Sequence, residues 1–250
     1  MDVTTTGFVA LLLAALVVGF AKTCLGGAAS IAVAVFAAVL PAKESTGTIL
    51  PLLIVGDLFA LAVYRRHADW GLLLRLFPSV AVGVLVGVAF VDAVSDTVMR
   101  RSIGGVLLAL VVIHYVRVFR QKRAGDVVPA SRGRRIAVGV FFGFVAGFTT
   151  MVANAGGAAM SIYLLTMGFG VMAFLGTGAW FFFIVNVFKL PFSVGLGLIT
   201  LDSLRLDLLL LPAVVAGAFA GRWVAKRLDQ KRFEHLVLAA TTVSSANLLR

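Results

Sequence analysis

The sequence predicts an all-α polytopic membrane protein made of two inverted-topology repeats, each of about five apolar segments, the first two of each repeat joined by a Gly-Gly break. Three observations carry that reading: an apolar content too high for a water-soluble core, basic residues confined to alternate loops, and glycine motifs that recur in the same order in both halves. Hydrophobic residues make up 61% of the chain and charged ones 13%, with a mean hydropathy of +1.06. Soluble domains carry about 45–50% and about 25% respectively. Lipid must therefore be the solvent for most of the apolar surface.

The apolar segments run over residues 7–24, 27–40, 47–64, 71–91 and 98–118, then 134–153, 156–168, 171–190, 203–225 and 232–249. A helix needs about 20 residues to cross a hydrocarbon core of about 30 Å, and most of these qualify. The first follows Met1 to Thr6, a stretch with no basic cluster and no cleavage signal, so it reads as a retained membrane segment. The segments 27–40 and 156–168 are too short for a straight crossing, reaching only roughly 20 Å at 1.5 Å per residue. They hold corresponding places in the two halves. After 47–64 come Arg65, Arg66 and His67, and after 98–118 comes the linker 119–133, which holds Gly125, Pro129, Ser131 and Gly133. The expected organisation is a first repeat over 1–118, this basic linker, and a second repeat over 134–250.

The net charge of +11 would suggest nucleic acid in a soluble protein. Here the basic residues act as topology signals, and no nucleic-acid partner is expected. Arg117, Arg120, Lys122, Arg123, Arg132, Arg134 and Arg135 surround the linker; Arg65, Arg66 and Arg75 mark a second loop; Arg222, Lys226, Arg227, Lys231 and Arg232 mark a third. The positive-inside rule places all three loops in the cytoplasm of a cell with this chain in its inner membrane. The alternate loops balance Asp92 and Asp96 against Arg100 and Arg101, and Asp202 and Asp207 against Arg205, so they and both termini are expected outside.

Gly19-Phe20 and Gly26-Gly27-Ala28-Ala29 recur as Gly147-Phe148 and Gly156-Gly157-Ala158-Ala159. Gly47-Thr48 recurs as Gly176-Thr177, Gly56-Asp57-Leu58-Phe59 is echoed by Val185-Asn186-Val187-Phe188, and Pro78, Gly83 and Gly87 match Pro212, Gly217 and Gly221. Each copy crosses three times if its first pair of segments dips and returns, or five times if the pair spans. Either number is odd, so the second copy must enter the membrane inverted, a recurring plan among secondary transporters.

Short glycine-interrupted segments at matching positions are the strongest sequence pointer to a transport site. They single out Lys22, Thr23, Gly26 and Gly27 in the first half, and Thr149, Thr150, Asn154, Gly156 and Gly157 in the second. Helices restarting after such breaks would point free N–H groups at a bound anion, and the hydroxyls and amide would add neutral donors. The competing view is that Gly-Gly-Ala-Ala serves only tight helix packing. Lys22 lies about fifteen residues into its segment, where a cation costs about 2.5–3.5 kcal/mol unless paired or hydrated, or else it snorkels to the interface. Asp57 falls near mid-membrane, and Asn186 is its uncharged counterpart in the second half. The pair is expected to serve coupling, through a proton or sodium ion or through pairing of Asp57 with Lys22, unless Asp57 is a structural hydrogen-bonded carboxylate.

Lys189, just before Pro191, is expected to snorkel from a helix end. Trp70, Trp180 and Trp223 fit interfacial or packing roles. His67, His114 and His235 have no metal-ligand spacing. Cys24 is the only cysteine, which leaves no internal disulfide. No nucleotide or nucleophile motif occurs, so catalytic residues, cofactors and metals are all read as none.

The Gly-Phe…Gly-Gly openings, with Pro41 and Thr46-Gly47-Thr48, resemble the TauE/SafE sulfite-exporter family. Asp57 to Trp70, followed by Pro78 and Gly83, is similar to that family's third and fourth helices. The resemblance spans about residues 7–249. It implies a cytoplasmic-membrane transporter of sulfite, a sulfonate or a related small organic anion, and the two inverted repeats lead to the expectation of alternating access between them. A passive anion channel and an intramembrane lipid-phosphate enzyme are the alternatives. The second lacks an acid, base or arginine at either Gly-Gly stretch. A homodimer is compatible with the sequence.

Overall fold

In the computed structural model of the chain, residues 3–25, 30–99 and 132–229 are described, with 101, 102, 105, 109 and 112 between them. Gly26 and Gly27, most of segment 98–118, most of the linker, and segment 232–249 lie outside the described residues. Eight α-helices are described: α1 (Thr5–Cys24), α2 (Ser30–Val39), α3 (Ala42–Tyr64), α4 (Trp70–Ala93), α5 (Arg132–Ala153), α6 (Gly156–Thr166), α7 (Val171–Gly195) and α8 (Leu201–Ala225). Six are long and apolar enough to cross a membrane, the span in α5 being Ile136–Ala153. The other two, α2 with 10 residues and α6 with 11, are the short segments expected from sequence.

Local chemistry sets the helix ends. The Thr4 hydroxyl accepts from Gly7 N at 3.2 Å to open α1, and the Asp69 carboxylate accepts from Leu72 N at 2.9 Å to open α4. Thr200 and Ser203 form a reciprocal capping box at the head of α8. Two boundaries differ from expectation. α3 begins at Ala42, where the Lys43 amide donates to Asp96 Oδ1 at 2.8 Å. α7 continues through Pro191 to Gly195; packed neighbours in a membrane protein tolerate the lost amide hydrogen bond.

Helix directions follow from side-chain neighbours. Lys22 and Val18 of α1 flank Gly56 of α3, and the Tyr64 hydroxyl donates to the Thr23 carbonyl at 2.9 Å, so α1 and α3 run the same way. Gly217 and Gly221 of α8 meet Leu16, Phe20 and Thr23 in rising order, so α8 runs with them. α4 returns after a 3-10 turn at Arg65–His67. Gly83 meets Phe144 and Gly87 meets Met151, so α5 runs with α4. α7 is antiparallel to α3: Gly47 lies against Leu198, Asp57 against Asn186, and Gly176 against Tyr64.

Among the described helices, the most extensive contacts pair the first long helix of each half with the last long described helix of the other, α1 with α8 and α5 with α4. Both seams are closed by glycine. A Cβ at Gly19 would run into the carbonyl oxygen of Val214, and one at Gly147 into that of Val80. Such backbone proximity drives helix association where apolar burial cannot, because lipid is as apolar as leucine.

Each short helix doubles back on the long helix before it. Val39, the last residue of α2, lies against Gly7 near the start of α1. Gly156 of α6 lies against Ala146 and Thr150 of α5, while Tyr163 reaches Gly139 and stacks near Phe142, ring centroids 5.8 Å apart. Both pairs are therefore helical hairpins.

Candidate functional site

Buried charge gathers where the hairpins meet the central α3–α7 pair. Lys22, in the last turn of α1, places its ammonium 2.6 Å from Asp57 Oδ1. Asp57 Oδ2 accepts from Asn186 Nδ2 at 2.7 Å, so the carboxylate joins α1, α3 and α7. Lys22 is 4% exposed and Asp57 0%. The ammonium also lies 4.7 Å from the centroid of the Phe182 ring, whose face attracts a cation. In a low-dielectric interior, removing one partner of such a pair costs about 3–5 kcal/mol, because the other is left as an uncompensated charge.

Lys189 sits three residues along α7 from Asn186. Its ammonium donates to the Thr150 carbonyl at 2.6 Å, to Thr150 Oγ1 at 3.3 Å and to Asn154 Oδ1 at 2.5 Å. Three acceptors match the three protons of an ammonium. At 2% exposure Lys189 does not snorkel, which corrects the expectation from sequence. The reason is the continuation of α7 past Pro191, which puts the lysine inside the helix rather than at its end. The signal was available: a lysine deep in an apolar run deserved the reading given to Lys22.

The break in the second hairpin falls at Asn154, not at Gly156-Gly157. Asn154 has φ 47°, in the left-handed region that asparagine tolerates better than most residues. Its Nδ2 donates to the Thr46 carbonyl at 3.0 Å, fastening the break to the first turns of α3. Gly156 and Gly157 are the first residues of α6. Gly156 is required for packing, since a Cβ there would press on the Ala146 carbonyl and Thr150.

The threonines divide. Thr150 faces Lys189. The Thr149 hydroxyl donates back to the Val145 carbonyl at 2.7 Å, and the Thr23 hydroxyl points at the carbonyls of Gly19 and Ala218, at 3.1 and 2.9 Å. Thr23 thus links α1 to α8. Lys22, Asp57, Asn186, Lys189, Thr150 and Asn154 form one buried polar series, with two ammonium groups and one carboxylate.

Among the described residues no group of three His, Cys, Asp or Glu side chains could hold a metal ion. A cavity of about 990 Å³ opens elsewhere, beside Asp69, Arg75, Gly139 and Tyr163, and does not reach the lysine series.

Among curated proteins and solved structures, nothing matches the chain. The family model for the sulfite exporter TauE/SafE matches residues 11–248. Six long apolar helices, two short helices folded back as hairpins, and a match over nearly the full length lead to one assignment. The chain is a multi-pass membrane protein of the sulfite exporter TauE/SafE family.

Proposed function

We propose that the protein is a secondary transporter, working as an exporter of a small anion such as sulfite, a sulfonate or a related organic acid. The observation that carries this reading is the excess of positive charge in the buried series: Lys22 and Lys189 against Asp57 alone. An unbalanced cation in a low-dielectric interior favours an anion and repels a cation.

In this reading Asp57 is the resident counter-ion. It holds Lys22 while the site is empty, and an arriving oxyanion takes its place on the ammonium. Asn186 keeps the displaced carboxylate hydrogen-bonded, so the pair couples site occupancy to the packing of α1 against α3 and α7. Thr150, Asn154 and the first N–H groups of α6, at Gly156 and Gly157, offer the second flank of the site. Gly26 and Gly27, with Thr23 beside them, are assigned the same part in the first hairpin.

Alternating access follows if residues 1–118 and 134–250 are inverted copies joined by a cytoplasmic linker in the inner membrane, with both termini outside. The opposed helix directions and the exchange of α8 and α4 between the halves support that plan. Binding and passage need no bond to be made or broken, so no enzymatic role is assigned.

The test is sulfite counterflow in proteoliposomes of purified protein, with sulfonates, thiosulfate and small carboxylates as competitors. Saturable accumulation of labelled sulfite against unlabelled sulfite is expected, and Lys22→Ala should abolish it in a protein that still purifies as a folded species. Flux that never saturates would point to an open channel, and unchanged flux in Lys22→Ala would remove this lysine from the site.

A further inference from the structure

Asp207 is a buried carboxylate that the anion site leaves unused. It lies about 9 Å below the start of α8, at 1.5 Å per residue, and therefore within the hydrocarbon depth of a spanning helix. It is 5% exposed, and neither of its oxygens has a hydrogen-bond partner among the described residues. Ser203, Leu206, Leu210 and Val214 share its buried face, whereas Leu204, Leu208 and Leu209 are exposed on the other side of the helix. The same stripe continues through Val214, Gly217 and Gly221, which lie against α1, and α8 packs on α3 as well.

Among the described residues, no charged or titratable group on α1, α3 or α8 pairs with Asp207. On α1, Lys22 pairs with Asp57. On α3, Lys43 and Glu44 lie in the first turn, Asp57 is held by Lys22 and Asn186, and Tyr64 donates to Thr23. On α8 itself, Arg205 pairs with Asp202 on the exposed surface at 3.1 Å, and Arg222 lies in the last turn. Among the described residues, an ionised Asp207 would have neither a counter-ion nor a hydrogen-bond donor to stabilise it. The neutral acid is the form that this setting accommodates.

We propose that Asp207 is the proton-carrying residue of the transport cycle, an inference that rests on the transporter reading above. Buried on the packed face of α8, the side chain holds its proton as the neutral acid. When rearrangement of α8 against α1 brings water to the carboxyl group, the proton leaves and the carboxylate is hydrated. Asp57, fixed by an ammonium and an amide, is thereby freed of that task and serves the anion site. The seam that must move is the glycine-closed contact around Gly19, Gly217 and Gly221.

Two measurements decide it. Infrared spectra of wild-type proteoliposomes titrated with base should lose a protonated-carboxyl C=O band that is absent from Asp207→Asn. In the same variant, sulfite flux driven by a pH difference should fall by about tenfold, with sulfite counterflow at equal pH retained. Asp207→Glu should restore the pH-driven flux in part. A band that persists in Asp207→Asn, or pH-driven flux equal to wild type, overturns the assignment. Absence of counterflow from the wild-type protein would count against the transporter reading alone, with the infrared band still deciding Asp207.

Discussion

At the tip of the first hairpin a buried ammonium meets a carboxylate; at the tip of the second it meets only carbonyl, hydroxyl and amide oxygens. Lys22 belongs to the hairpin and reaches out to Asp57 on α3, whereas Lys189 belongs to α7 and reaches into the hairpin, to Thr150 and Asn154. The first arrangement pairs opposite charges and, in the proposed cycle, opens by exchanging one anion for another. The second has no carboxylate partner and caps the Thr150 carbonyl in the last turn of α5, where the helix dipole favours a cation. The proposed cycle accordingly assigns switching to the first tip and holding to the second.

The largest effect expected from that contrast is at the ion pair. Asp57→Ala or Lys22→Ala should each lower stability by about 3–5 kcal/mol, because each strands a buried charge. The double variant Lys22→Met with Asp57→Asn should recover most of that loss in a thermal unfolding series. If the double variant is as unstable as either single one, the two groups are not a pair.

At the second tip, Lys189→Met removes hydrogen bonds to a charged group worth about 1.5–3 kcal/mol, and no compensating carboxylate variant should rescue it. Rescue by Lys189→Arg, measured as the same unfolding midpoint, would sharpen the comparison by showing that charge matters there more than shape. A smaller loss, about 1–3 kcal/mol from overpacking, is expected for Gly147→Leu at the α4–α5 seam; an unchanged midpoint would mean that the seam is looser than its glycine contacts imply. The smallest effect belongs to Asn154. Asn154→Gly keeps the left-handed backbone accessible and loses only the side-chain bonds to Thr46 and Lys189. Asn154→Ala adds about 1 kcal/mol of backbone strain to the same loss, and equal midpoints for the two variants would argue against a left-handed residue at the break.

The membrane class, the six long helices and both short ones were legible in the sequence, because apolar run length is a direct measure of what can cross lipid. Lys22 and Asp57 were legible for the converse reason: charge deep in an apolar run is costly and stands out. Lys189 was misread because Pro191 suggested a helix end, and proline is a weaker punctuation mark in a packed membrane helix than in a soluble one. The Gly156-Gly157 pair is read from sequence as a break, with tight packing as the competing view, yet Gly156 makes room for the Ala146 carbonyl, as Gly19 and Gly147 do for their neighbours, while Asn154 makes the turn. Sequence alone cannot separate those uses, since both need only the absence of a side chain. Asp207 was read as part of an outer loop because Asp202 and Arg205 precede it, and only its place on the buried face of α8 reveals it.

The central claim is that the two lysines make the anion site, and the most direct test removes one charge without leaving its partner stranded. Equilibrium binding of sulfite to the purified Lys22→Met, Asp57→Asn double variant should be weakened by at least about tenfold relative to wild type, the loss of roughly 1.4 kcal/mol expected for one ammonium contact. An unchanged Kd in a double variant with a wild-type unfolding midpoint would contradict the account.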